Sequence, residues 1–432
     1  MNQAAVEKNT VRRHSGEPSE GRSGGAFPAE RIEIVSEEGA GGRKTMYLQM
    51  GPQHPSTHGV LKLELELDGE TIERVVPRVG YLHRCAEKLG ERDRYVQAIP
   101  HTDRMDYVAS MTQNLALCEA VEALLGLEIP LRARLLRVLL CELQRIASHM
   151  VWLGTHALDL GAMSPILYCF RDREEIQDLF EEACGARLTY SYIRIGGFYT
   201  PPSPRFFSWC REVLNRLPEK IDSYEALLTE NPIFIRRLKG VGYISAEDAI
   251  AYGLSGPVLR GSGVARDIRV DEPYAAYDQI RPRVITRDEG DCYARFLVRM
   301  EEMRESVRLC REALEALEAA EPGPYLAEND LVVPPPKEDI YQDMAAMIRH
   351  WIIAIHGFKV PEGEVYRAVE TPRGELGVFV SSDGSGRPFR LHYRSPCFVS
   401  LGALERMAKG GMLSDLVAII GSIDVVLGEV DR

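Results

Sequence analysis

The sequence predicts an α+β fold, mainly α, with small antiparallel β-structure near each terminus. Three observations carry that expectation. Two alternating stretches lie between Lys44 and Val76, long apolar segments of helical period run from about residue 103 to 320, and a second alternating group lies between Val365 and Tyr393. The chain then divides into a flexible N-terminal arm over 1–43, a small β-rich part over 44–100, and a helical core with a C-terminal β-hairpin over 101–432.

The arm is rich in Gly, Ser, Glu and Arg, a composition that cannot bury enough apolar surface to order itself. Its acids, among them Glu7, Glu17, Glu20, Glu30, Glu33, Glu37 and Glu38, are unlike a mitochondrial presequence and favour a bacterial cytoplasmic chain. Beyond it, Lys44 to Met50 and Leu61 to Leu67 read as strands, the second alternating Leu with Lys62, Glu64 and Glu66. Asp68-Gly69 turns the chain into a third strand at Thr71 to Val76. Between the first two strands stands Gly51-Pro-Gln-His-Pro-Ser-Thr-His-Gly59, too densely punctuated for helix or strand. Such a loop is either a surface turn with two solvated imidazoles or a mount that presents them to a cavity.

After Gly80 the period becomes helical. Asp103, with Asp106 three residues on, is placed to cap a helix running through Cys118 to about Leu125, with Arg104 and Tyr107 in its first turn and a half. The helix expected over Leu131 to Leu153 is apolar all round, yet Glu142, Arg145 and His149 fall on one line that continues to His156 and Asp159. A polar stripe in a buried helix must be paired internally, either as a static salt-bridge network or as a proton relay. Helices are expected at about Arg171 to Cys184, 205–229, 287–320 and Glu338 to Ile355, the last after Pro334-Pro335-Pro336. The loop-rich segment between 229 and 287 contains Leu259-Arg-Gly-Ser-Gly263 and Asp267-Ile-Arg269, without the strand-glycine-helix context of a dinucleotide fold. In the tail, Val365 to Val369 and Leu376 to Val380 read as strands, the latter paired with Phe389 to Tyr393 across Asp383-Gly384-Ser385-Gly386.

A net charge of −12 argues against nucleic acid as a partner, since phosphate binding needs a basic surface. The apolar run Leu135 to Leu140 is flanked by Arg134 and Glu142 and interrupted by Arg137, far short of the roughly 18 residues a spanning helix needs. The nine cysteines are scattered, with no Cys-x-x-Cys, so the usual spacings for iron-sulfur, zinc or nickel are missing and only ligands scattered in sequence stay open for a metal.

Seven motifs stand in one order: the histidine loop, Gly80-Tyr-Leu-His83, Asp103-Arg-Met-Asp-Tyr107, Leu158-Asp-Leu-Gly161, Tyr192-Ile-Arg-Ile-Gly-Gly197, Arg373-Gly-Glu-Leu-Gly377 and Ile423-Asp-Val-Val-Leu-Gly-Glu-Val-Asp-Arg432. From about residue 44 onward the chain resembles the D-type, or 49 kDa, subunit of proton-translocating NADH-quinone oxidoreductase, respiratory complex I. The resemblance implies a fold like the nickel-iron hydrogenase large subunit, in which the old metal cavity has become a quinone headgroup chamber. Hydrogenases hold their metal with two Cys-x-x-Cys pairs; this chain has neither, and Asp424 to Asp431 occupies the second position without a cysteine. Carried over, the quinone ligands fall on His58 and Tyr107, and Asp159 matches the aspartate that pairs with that histidine. Arg104 matches an arginine near the terminal 4Fe-4S cluster of an adjacent subunit, and Glu142, Arg145 and His149 become proton-route candidates.

The implied cofactor is quinone, as substrate, with no metal or NAD bound by this chain. The implied partners are the cluster-bearing subunit, a 30 kDa-type subunit and a membrane-arm subunit at the quinone entrance. The implied place is the cytoplasmic side of the cell inner membrane, as a peripheral protein. The rivals are the equivalent subunit of a complex fed by ferredoxin or another donor, and a non-catalytic assembly scaffold. Two positions depart from the family pattern. Val270 follows Asp267-Ile-Arg269 where relatives often carry lysine, and Thr189 follows Gly185-Ala-Arg-Leu188 where many carry a histidine close to the cluster. Threonine does not titrate, so the cluster's midpoint potential is expected to depend weakly on pH between about 6 and 8. A redox titration of the complex checks this; a full histidine-like slope would count against it.

Overall fold

The computed structural model describes residues 35–38, 44–52 and 60–432. The heart of the histidine loop, with His54 and His58, lies outside the described residues.

Strands β1 (Val35–Glu38), β2 (Lys44–Met50), β3 (Lys62–Asp68) and β4 (Thr71–Arg78) form an antiparallel sheet in chain order. The leucine alternation does what its period requires: Leu63, Leu65 and Leu67 are buried, while Glu64 and Glu66 reach Arg78 at 2.7 Å and Arg74 at 3.3 Å on the outer face. β1 falls within the segment expected as an arm over 1–43. Its backbone pairs with the free edge of β2, Val35 opposite Tyr47, and that pairing is invisible to local composition. At the far edge, Ile72 exchanges backbone hydrogen bonds with Gly410 and Gly411, tying the sheet to the C-terminal region.

The helical body contains α1 (Tyr95–Asp103), α2 (Ser110–Leu125), α3 (Leu131–Asp159), α4 (Ser164–Cys184), α5 (Pro204–Leu228) and α6 (Cys292–Ala319). The all-round apolar surface of α3 is accounted for by its neighbours: it packs between α4 and α6, with Leu136, Leu139, Leu143, Ile146 and Leu153 fully buried. It runs to Asp159, past the expected Leu153, and the chain turns out at Gly161 with φ 90°.

The helix expected from Asp103 through Cys118 to about Leu125 is present but starts later, at Ser110. Asp103 ends α1, and residues 104–109 form a succession of tight turns before α2 begins at Ser110. Tertiary partners claim both would-be capping carboxylates. Asp103 Oδ2 accepts from Ser191 Oγ at 2.7 Å, and Asp106 Oδ1 accepts locally from Val108 N at 3.1 Å while its Oδ2 faces a buried arginine. Short helices at Pro232–Leu238, Ala246–Ala251, Gly256–Arg260 and Ile268–Asp271 occupy the segment expected to be loop-rich.

The helix expected over Glu338 to Ile355 is split into Lys337–Gln342 and α7 (Met344–His356), because extended Asp343 caps α7 by accepting from Ala345 N and Ala346 N. The C-terminal hairpin is a three-stranded antiparallel sheet of β5 (Gly363–Thr371), β6 (Gly374–Ser382) and β7 (Arg390–Arg394). β5 and β6 join at a two-residue turn, Pro372-Arg373, which Gly374 permits by adopting φ 130°. The chain ends in α8 (Leu413–Ile423) and α9 (Leu427–Asp431), and between them Asp424 takes the left-handed conformation, φ 51°. The architecture is α+β and mainly α. Among the described residues, no helix is long and apolar enough to cross a membrane.

Candidate functional site

Two buried polar clusters meet at the β5–β6 turn. The first is built on Arg373, which the turn drives into the body of the protein, where it is 3% exposed. Its guanidinium donates to Asp106 Oδ2 at 2.7 Å, Ser148 Oγ at 3.0 Å, the Asp424 carbonyl at 3.1 Å and Asp424 Oδ1 at 3.3 Å. Glu429 stands beside them, accepting from Gln113 Nε2 at 2.8 Å and from Cys397 N at 3.4 Å. Three carboxylates thus gather around one guanidinium in a dry site, and full ionisation would leave an excess of negative charge there. Burial, reinforced by Glu429 and Asp424 and opposed by Arg373, raises Asp106 to about 7.

A carboxylic acid whose native pKa is raised adds stability at low pH that is lost as pH rises towards that pKa. Asp106→Asn, permanently neutral, is therefore expected to gain on the wild type at pH 8 and not at pH 4. Melting temperatures of both forms at the two pH values check this; the same offset at each would refute it.

Tyr107 is the next residue. It is 42% exposed at the edge of this cluster, and partial burial, with Asp106 adding its charge, raises the phenol pKa. A tyrosine with a near-neutral acid at its back can donate a proton and be resupplied. The segment is braced from the C-terminus: a Cβ on Gly428 would lie 2.6 Å from the Met105 carbonyl and 2.9 Å from that of Arg104, so only glycine lets α9 pack there. Asp431 in turn accepts from Gly80 N at 2.8 Å and Leu82 N at 2.7 Å, so two of the sequence motifs are one structural unit.

The second cluster contains the α3 stripe. Glu142 is fully buried and accepts from Tyr277 at 2.5 Å, Ser306 at 2.7 Å, Arg269 at 3.0 Å and Arg145 at 3.2 Å. Burial pushes Glu142 up, but Arg145, Arg269 and those hydrogen bonds outweigh it and hold the carboxyl at about 2. Arg145 also donates to the carbonyls of Glu370 at 2.6 Å and Thr371 at 2.9 Å, next to Arg373. His149 meets Glu302 at 3.1 Å; Arg260 binds the other oxygen of Glu302 at 2.8 Å and Glu370 at 2.7 Å. Burial lowers the His149 pKa against the pull of Glu302, which favours the neutral imidazole.

The expected residues separate accordingly. Glu142, Arg145 and His149 belong to one network and Tyr107 flanks the other cluster. Asp159 ends α3, half-buried, on the same stripe. Arg104 is exposed, its guanidinium donating to the Pro100 carbonyl at 2.7 Å and lying 3.8 Å from Asp103 Oδ2. His58 lies outside the described residues. Asp106, Arg373, Asp424, Glu429 and Arg260, which the sequence showed only within motifs and not as site residues, join the clusters, as does Glu302, which it did not mark at all. Asp424 and Glu429 were detectable as charges inside the apolar run from Ile419 to Val430, while Glu302 on charge-rich α6 gave no such signal. Among the described residues, no group of three or more His, Cys, Asp or Glu side chains could hold a metal ion.

Residues 159–432 match the family model described as the respiratory-chain NADH dehydrogenase 49 kDa subunit. The D-type NADH-quinone oxidoreductase subunit of Geobacter sulfurreducens is 52% identical over 387 residues, covering 90% of this chain and 98% of the relative. A D-type subunit from Roseiflexus sp. strain RS-1 is 53% identical over 393 residues, covering 91% and 94%, and one from Chloroflexus aurantiacus is 51% identical over 401 residues, covering 93% and 97%. With that coverage and the motifs held in one fold, the chain belongs to the respiratory-chain NADH dehydrogenase 49 kDa subunit family, and is a subunit of the NADH-quinone oxidoreductase enzyme complex.

Proposed function

We propose that this chain forms the quinone end of a proton-translocating NADH-quinone oxidoreductase, with His58 and Tyr107 as hydrogen-bonding ligands and proton donors to the quinone headgroup and Asp159 as the partner of His58. The observation that carries the reading is Tyr107 itself: a half-exposed phenol on a turn braced by α9, backed by an acid whose pKa lies near neutrality. Two-electron reduction of a quinone consumes two protons, and a phenol and an imidazole at the two carbonyls are suited to supply them. The buried Glu142, Arg145 and His149 network serves as the route by which charge displaced at the headgroup is passed on.

Electrons reach the headgroup from a 4Fe-4S cluster on an adjacent subunit, on the side of Arg104. The neighbours are that subunit, a 30 kDa-type subunit and a membrane-arm subunit at the quinone entrance, with the chain peripheral on the cytoplasmic side of the inner membrane. An exposed apolar face on α7, with Met344, Met347, Ile348, Trp351 and Ile352 all 45% exposed or more, supports a place inside a larger assembly.

The test is the assembled complex with Tyr107→Phe, comparing NADH oxidation by a quinone analogue and by an artificial acceptor that takes electrons upstream. Quinone reduction is expected to fall by about a hundredfold, a typical loss for one acid–base group, with the upstream rate unchanged. Wild-type rates with both acceptors would reduce the chain to a scaffold or displace the tyrosine from the site.

A further inference from the structure

We propose that Arg299, His149 and Asp424 enclose a site for ordered water that joins the two buried clusters into one continuous hydrogen-bonded path. This rests on the proton-route reading above and adds to it Arg299 and Asp424, which that reading did not include. α3 and α6 face each other through two adjacent rungs. In one, His149 meets Glu302 at 3.1 Å; in the other, one turn along each helix, the Arg299 guanidinium lies 4.6 Å from the centre of the Trp152 ring. Arg299 is 0% exposed, and its one hydrogen bond among the described residues runs from Nη1 to the Ser422 carbonyl at 2.7 Å. Its Nε and Nη2 have no partner among the described residues, and neither do Nδ1 of His149 and Oδ2 of Asp424.

These orphans belong to one neighbourhood. Asp424 Oδ1 is held by Arg373 at 3.3 Å, and Arg373 also binds Ser148, the residue before His149. Asp424 and then Glu302 are the anions that act most strongly on Arg299, and burial and Arg299 both lower the basicity of His149. Burial lowers Arg299 to about 10, which still leaves a cation at pH 7.

A buried cation with two idle donors, a carboxylate with an idle oxygen and an imidazole with an idle nitrogen are costly to leave dry. Water bridging such groups satisfies donors and acceptors together, and polar cavities of this kind are where buried water is found. Such water would pass a proton delivered to Asp424 Oδ2 on to Nδ1 of His149, leaving an ionised Asp424 and an imidazolium paired with Glu302; Arg373, a donor only, ties Asp106 to Asp424 without relaying the proton itself.

The experiment uses the assembled complex in three forms: wild type, Arg299→Met and Arg299→Lys. A map of the wild type at a resolution that shows ordered water is expected to place water within hydrogen-bond distance of Arg299 Nη2 and Asp424 Oδ2. Arg299→Met is expected to slow quinone reduction by about a hundredfold and to enlarge its solvent deuterium effect, with the upstream-acceptor rate unchanged; Arg299→Lys, which keeps charged donors, restores most of the rate. Should Arg299→Met fail to assemble, the map and Arg299→Lys decide. A direct Arg299–Asp424 bond with no water, wild-type quinone reduction in Arg299→Met, or an Arg299→Lys complex that assembles but stays as slow as a dead site would overturn the proposal. Failure of the quinone reading is separate: it appears as unchanged rates in Tyr107→Phe, whatever the map shows.

Discussion

Arg373→Met is expected to destabilise the protein by about 3–5 kcal/mol, because it leaves buried carboxylates without their cation rather than removing an ion pair whole. Arg373 binds Asp106, Asp424 and Ser148 at once, and it does so from the turn that also presents Thr371 to Arg145. The loss therefore reaches the Tyr107 segment through Asp106, and quinone reduction should fall with stability. A double variant with Asp106→Asn, which removes one of the stranded charges, should recover part of the deficit. Thermal unfolding of the three forms measures it: an Arg373→Met protein as stable as the wild type would mean that the cluster is hydrated and weakly coupled.

The second large effect is expected for Glu142→Leu. Two fully buried cations, Arg145 and Arg269, lose a shared counter-ion, and the hydroxyls of Tyr277 and Ser306 lose their acceptor. The cost is again about 3–5 kcal/mol from the broken charge pairing, with roughly 1–3 kcal/mol more for each unsatisfied hydroxyl. Arg269 keeps Asp267 and Arg145 keeps two backbone carbonyls, which holds the loss to the lower part of that range. Its pH dependence has a definite sign. The Glu142 carboxyl is held at about 2, below its ordinary 4.5, so its contribution is present above about pH 4.5 and is lost as pH falls towards 2. The gap between wild type and variant should narrow over that interval in acid unfolding; a constant gap would show that folding leaves the Glu142 pKa unshifted.

Of these two residues, one was visible in the sequence as a site residue and the other was not. Glu142 was legible because it interrupts a helix apolar on all sides, and helical period places Arg145 and His149 on its line. Period says where side chains point along one element, and so it located the strands flanking the histidine loop, the hairpin at Asp68-Gly69 and the buried α3. It is silent on what stands opposite. That Glu142 is met by Arg269 and Tyr277, and His149 by Glu302, depends on contacts across more than 120 residues.

The same limit explains the failures. Asp103 and Asp106 have the spacing of a helix start, and locally that reading is sound. Ser191 and Arg373, 88 and 267 residues away, take the two carboxylates instead, and a charge-assisted hydrogen bond in a dry interior outweighs a cap worth about 1 kcal/mol. Strand β1 was missed because its stabilisation lies in pairing with β2 and not in its own composition. The order of seven motifs, a property of the chain alone, determined the family. The tertiary structure decided which charges share a site, because the energy of a buried charge is set by its partners, and those partners come together only when the chain has folded.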